Sequence, residues 1–248
     1  MTVKTQNLKG RGDICIFTPP EIPRPSLPVV ILLHGVYGSA WSWTYCAGVH
    51  LQAMKMIQKG EIPQMIIAMP SDGLWGDGSA YLPHNHLNFE KWIAEDVPMA
   101  LAEKIPGASE HSPFFIAGLS MGGFGALRIG AKYGDRFQGI SGHSSITSLG
   151  QMALFVEEDL ALYFQDNKVD EDVFETIKKY RNKLPPMRFD CGASDPLIEY
   201  NRTLHSQMNA HGIAHTYTEY PGAHEWSYWE KYIGESLRFF AAHTPGFK

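Results

Sequence analysis

PFFIAGLSMGGFGALRIGAKY, residues 113–133, decides the fold. It opens with an uninterrupted apolar run of strand length, PFFIAG (residues 113–118). After a glycine-rich turn it continues as FGALRIGAKY, whose apolar positions have helical spacing. Between the two stands Gly118-Leu119-Ser120-Met121-Gly122, a G-x-S-x-G pattern. A sharp strand-to-helix turn needs small residues beside the serine, because side chains there collide, and such a turn lifts the serine Oγ clear of the sheet. In a chain with 24 glycines the bare pattern arises by chance. The strand before it and the helix after it give it meaning.

Outward from this stretch the same alternation recurs. Short apolar runs occur at ICIF (residues 14–17), PVVILLH (28–34), QMIIAM (64–69), FQGISGH (137–143), MRFDCG (187–192) and HTYTEY (215–220). Helix candidates lie at residues 45–59, 89–104, 121–133, 170–183, 196–211 and 226–243. This predicts an α/β architecture, a mostly parallel central sheet flanked by helices. Most of the runs are continuous, as strands covered on both faces should be, whereas HTYTEY alternates and suits an edge. Pro98 falls inside the second helix candidate and predicts a kink or a split there. Residues 148–181 carry no convincing strand and follow FQGISGH, so we read them as a short cap segment over the site. TPPEIPRPSLP (residues 18–28) reads as a surface connection.

With 248 residues the chain suits a single domain spanning residues 1–248. A net charge of -5 with no basic stripe excludes nucleic acid as an expected partner. The cysteines Cys15, Cys46 and Cys191 form neither a disulfide framework nor a metal-ligand pattern. The first twenty residues lack the apolar core of a secretory signal, and no later stretch reaches the roughly 20 apolar residues of a membrane span. The expectation is a soluble, cytoplasmic protein with no membrane partner.

A serine hydroxyl needs an imidazole to take its proton and an acid to orient that imidazole. Asp195, in the loop after MRFDCG, and His224, in the loop after HTYTEY, follow Ser120 in the expected order of serine, acid, histidine. Asp190 lies inside its strand and Glu199 in the following helix. His34 precedes the nucleophile, His143 ends a different strand, and His205, His211 and His215 read as helix-face or strand-start residues. His84-Asn85-His86 has no third ligand at metal spacing, so no metal is expected and no cofactor is required. Acyl transfer also needs oxyanion donors. These are assigned to the backbone N–H groups of Met121 and Val36, with Tyr37 in place of Val36 if the HGVYG loop turns one residue later. Tyr37, Trp41, Trp75 and Tyr81 are candidate substrate-binding aromatics. Trp43 suits packing at a helix start, and Trp226 a brace for the histidine loop.

LLHGVYGSAWSW (residues 32–43), GLSMGGFGAL (118–127), CGASDPL (191–197) and GAHEWSYW (222–229) together resemble the esterase D family of α/β hydrolases. That group includes S-formylglutathione hydrolases, feruloyl and acetylxylan esterases, tributyrin esterases and mycolyltransferases. The resemblance implies the α/β-hydrolase fold and a triad of Ser120, Asp195 and His224. It implies a carboxylesterase acting on short-chain or aromatic acyl esters, with a small-molecule ester as partner. Acyl transfer or thioester hydrolysis by the same triad is the alternative, and a non-catalytic binding protein of this fold the minor one.

Overall fold

The continuous apolar runs become the middle of one sheet. The computed structural model describes residues 1–22 and 25–247. Its sheet strands in chain order are β1 (Thr2–Thr5), β2 (Gly10–Phe17), β3 (Val29–Leu33), β4 (Ile66–Pro70), β5 (Phe114–Leu119), β6 (Phe137–His143), β7 (Met187–Gly192) and β8 (Thr216–Tyr220). They lie in the order β1-β2-β4-β3-β5-β6-β7-β8. β2 is antiparallel to both β1 and β4, and every pairing from β4 across to β8 is parallel. This is the α/β-hydrolase fold. HTYTEY supplies β8, an edge with β7 on one side.

The helices are α1 (Ser42–Ala47), α2 (Val49–Gln58), α3 (Phe89–Lys91), α4 (Val97–Lys104), α5 (Met121–Lys132), α6 (Val173–Lys179), α7 (Ile198–Ala210) and α8 (Trp226–Ala242). Strand side chains alternate between two cores. Val29, Ile31 and Leu33 of β3 join Ile116, Phe124, Leu127, Ile177 and Leu204 on one face. Val30 and Leu32 join Trp43, Ala53, Trp229, Ile233 and Phe240 on the other. Covering both faces is what makes continuous apolar strands favourable, and each fully buried aliphatic side chain contributes about 1.5–3 kcal/mol.

Three elements depart from the sequence pattern. The helix expected over residues 45–59 is two helices, because Gly48 at φ 55° caps α1 and starts α2 in the left-handed region that glycine enters freely. The helix expected over residues 89–104 is divided into α3 and α4 by a π-helical turn, Trp92–Asp96, closed by Val97 N–H on the Trp92 carbonyl just ahead of Pro98. The Ala94 carbonyl, which the missing Pro98 N–H cannot serve, accepts from Arg136 Nη1 at 2.8 Å. β1 is polar and short, held by its antiparallel ladder to β2 rather than by an apolar pattern.

Residues 148–181 form a chain of short turns, Leu149–Leu154, Leu160–Tyr163 and Lys168–Glu171, followed by α6. The proline-rich connection is pinned by Leu27 N–H on the Gly107 carbonyl. Pro23 and Arg24 within it lie outside the described residues. Among the described residues no helix is long and apolar enough to cross a membrane, and no three His, Cys, Asp or Glu side chains are grouped to hold a metal ion.

Candidate active site

Ser120 sits between β5 and α5 with φ 54° and ψ -119°, outside the regions that a side chain adopts without strain. Its surroundings enforce this. A Cβ on Gly118 would lie 2.2 Å from the Gly122 carbonyl oxygen, and one on Gly122 would lie 2.5 Å from that of His34. The two glycines let the turn close and bring the end of β3 against the start of α5. The Ser120 N–H donates to the His143 carbonyl at 2.9 Å, tying the turn to β6.

Asp195, in the loop after β7, and His224, in the loop after β8, meet Ser120 at the carboxyl ends of the strands, the edge at which open α/β sheets build sites. His224 Nε2 lies 2.9 Å from Ser120 Oγ, and His224 Nδ1 lies 2.8 Å from Asp195 Oδ2. Asp195 is buried, and its other oxygen accepts the Leu197 N–H at 2.8 Å. An ionised carboxylate can only accept, so the proton of a neutral His224 is on Nδ1 and Nε2 presents its lone pair to the serine. The arrangement can take a proton from Ser120 and hold the resulting imidazolium.

The backbone N–H groups of the HGVYG loop differ in what they bond. Tyr37 N–H is spent on the Asp77 carbonyl at 2.8 Å. Among the described residues the N–H groups of Val36 and Met121 make no hydrogen bond to protein. His34 shapes this loop: its Nδ1 donates to the Gly35 carbonyl at 2.7 Å, and its Nε2 accepts the Asp72 N–H at 3.0 Å.

The aromatic candidates separate. Tyr81 is no pocket residue: it is fully buried, its hydroxyl donates to the His34 carbonyl at 3.0 Å, and its ring fills the space beside Gly125. A G-rich, loop-like sequence concealed a core position. Tyr37 and Trp41 are exposed, 62% and 48%. Trp75 is half-buried and packs edge-on against His84 and Tyr163, with ring centroids at 4.7 and 5.3 Å. Trp43 is buried and donates to the Leu33 carbonyl. Trp229 packs edge-on against the His224 ring at 5.0 Å, and Trp226 packs edge-on against Trp229 at 5.3 Å.

The cap segment supplies a residue that the sequence did not reveal. The Phe155 ring stacks on His224 at 5.0 Å and 24°, and its carbonyl accepts the Tyr37 hydroxyl. Such a ring contact contributes about 0.5–1.5 kcal/mol toward one imidazole orientation. Asp77, Glu157 and Glu158 surround Tyr37. Desolvation, then these three carboxylates, hold its phenol above the ordinary pKa, so it stays a neutral donor. A cavity of about 1140 Å³ lined by Pro98, Phe114 and Phe137 includes none of these groups. It lies at the amino-terminal ends of β5 and β6, away from the chemistry.

Cys191, four residues before Asp195, is not a competing nucleophile. Burial, then the Asp195 charge, pushes its thiol far above the usual range. Iodoacetamide at pH 8 is expected to leave Cys191 unmodified and turnover at Ser120 intact, while the half-buried Cys15 and Cys46 react. Peptide mass mapping reads both.

A family model described as "Putative esterase" matches residues 5–240. The chain is 26% identical over 239 residues to an acetyl esterase of Caldicellulosiruptor saccharolyticus, covering 89% of this chain and 86% of that protein. Among solved structures it resembles a ferulic acid esterase with a TM-score of 0.84, at 21% identity over 98% of this chain and 96% of the other. It also resembles an S-formylglutathione hydrolase from Agrobacterium tumefaciens with a TM-score of 0.83, at 18% identity over 98% and 94%.

Proposed function

The chain belongs to the "Putative esterase" family and is a serine esterase, and from that premise we propose that Ser120, His224 and Asp195 hydrolyse short-chain or aromatic acyl esters through an acyl-enzyme. The observation that carries this is the unbroken relay from Ser120 Oγ to His224 Nε2 and from His224 Nδ1 to Asp195.

In the first half-reaction Oγ attacks the ester carbonyl while Nε2 takes its proton. The negative oxygen of the tetrahedral intermediate accepts from the Val36 and Met121 N–H groups, each worth about 3 kcal/mol. Collapse breaks the bond to the alkoxy oxygen, which leaves as the alcohol with the proton from His224. Water then repeats the sequence on the acyl-enzyme, releasing the acid and restoring Ser120. Asp195 orients the imidazole and stabilises its charged form throughout.

Two relatives bear on the acyl group: the matching curated protein is named an acetyl esterase, and one structural neighbour a ferulic acid esterase. Tyr37 and Trp41, with Trp75 at the seam to the cap segment, line the approach in this reading. The carboxylates of Asp77, Glu157 and Glu158 beside Tyr37 repel anions, so neutral esters are the preferred class. The same reading takes the whole chain as one hydrolase domain. It also places it in the cytoplasm, an assignment supported by three free cysteines.

The test is a panel of p-nitrophenyl esters from acetate to dodecanoate, with methyl ferulate and S-formylglutathione. Turnover of neutral short-chain or aryl esters is expected, with S-formylglutathione slower by at least about tenfold. Failure on every neutral ester overturns the proposal. Preference for S-formylglutathione replaces it with thioester hydrolysis.

A further inference from the structure

Beneath the site the same three residue types meet again. His143, the last residue of β6, has Nδ1 3.1 Å from Asp190 Oδ1 and Nε2 2.6 Å from Ser236 Oγ. All three side chains are fully buried. This is no second nucleophile: Ser236 Oγ accepts from Arg188 at 2.9 Å, pairs with Ser141 Oγ at 2.6 Å, and faces no solvent.

What the cluster holds is a carboxylate. Asp190 receives Arg188 Nη2 at 2.7 Å and the Tyr228 hydroxyl at 2.7 Å besides His143. Burial opposes its ionisation, but His143, then Arg188 and Tyr228, more than offset this and keep its carboxyl below the ordinary value. The Arg188 guanidinium supplies the counter-charge and His143 a further hydrogen bond. The Tyr228 hydroxyl is therefore not needed to neutralise Asp190, and a phenylalanine would fill the same space without burying a polar group.

The position of Tyr228 accounts for the hydroxyl. It lies in the first turn of α8, four residues after His224, and its ring fills the space beside Gly222, where a Cβ would meet it at 2.6 Å. Gly222 has φ 143°, and its carbonyl accepts the Ser194 N–H at 2.9 Å, one residue before Asp195. The cluster also reaches the nucleophile, since the His143 carbonyl accepts the Ser120 N–H. One buried group thus touches the segments that carry serine, acid and base.

We propose that Tyr228 is a positioning residue: its hydroxyl anchors the histidine loop, residues 221–226, to the buried Asp190 carboxylate and so sets the reach of His224 to Ser120. This rests on the triad reading above. A displacement well below 1 Å at His224 lowers turnover without altering ester binding.

The test is Tyr228→Phe, which keeps the ring packed on Gly222 and leaves Asp190 two partners, so the fold stands. With p-nitrophenyl acetate kcat is expected to fall about tenfold and KM to change less than about twofold. The rate constant for phosphonylation of Ser120 by a fluorophosphonate should fall in parallel. Unchanged kcat and phosphonylation, even with a lower unfolding midpoint, overturn the inference and leave Tyr228 a purely structural residue. If wild type itself is not labelled at Ser120, the triad reading fails instead.

Discussion

Ser120→Ala lowers kcat for p-nitrophenyl acetate by roughly 10⁴ to 10⁶ fold, the largest effect expected from a single side chain here. Oγ has one partner, His224 Nε2, so its removal strands no buried group. Alanine also keeps the Cβ that already tolerates φ 54° at this position. The unfolding midpoint should therefore stay close to that of wild type while turnover collapses. The residue of activity left would come from ester binding and from the Val36 and Met121 donors, which do not depend on Oγ. Retention of near-normal turnover by this variant would sink the assignment of nucleophile.

Asp195→Asn lowers kcat by about 10⁴ fold at neutral pH. One oxygen of Asp195 accepts from Leu197 N–H and the other from His224 Nδ1. Asparagine keeps a single acceptor. With its oxygen retained by Leu197, the amide N–H₂ faces Nδ1 and stabilises the tautomer protonated on Nε2, which can no longer take a proton from Ser120. The imidazolium formed in each step also loses its counter-charge. Steady-state kinetics should show the fall in kcat with KM changed little, and fluorophosphonate labelling slowed to match. A loss of less than about tenfold would mean that another group orients His224.

How much of this could be read from the residues depends on how local each signal is. The strands that build the site were legible because both faces of the sheet are covered, so that VVILL and FFIAGL carry uninterrupted apolar runs. Ser120, Asp195 and His224 were legible because each stands in the loop after a strand, continuous for Ser120 and alternating for His224, and their meeting needs only the parallel topology. The break at Gly48 was hidden, since one left-handed residue leaves the apolar spacing on either side intact. β1 was hidden because TVKT is mostly polar and gains its order from the ladder to β2 and from threonine hydroxyls on Asp13 and Asp96. Tyr81 read as a loop aromatic although it is fully buried, and Phe155 carried no signal at all. Its contact with His224 depends on the path of the 148–181 segment, which consists of short turns without periodicity. Trp226 was read as a brace for the histidine loop on proximity in sequence; the helical turn instead presents Trp229 edge-on to the imidazole, with Trp226 packed against Trp229.

The position of His224 between β8 and α8 also fixes when this catalyst can first exist. A ribosome delivers the nucleophile elbow and the oxyanion loop early, then the acid, and the base last. Trp229 and Tyr228, which seat the histidine loop, arrive only with the helix that follows it. A nascent chain in which α8 has not yet emerged holds a strained serine with no partner to activate it. Because domains pack as units, the relay from Ser120 to His224 and Asp195 assembles only once α8 has docked.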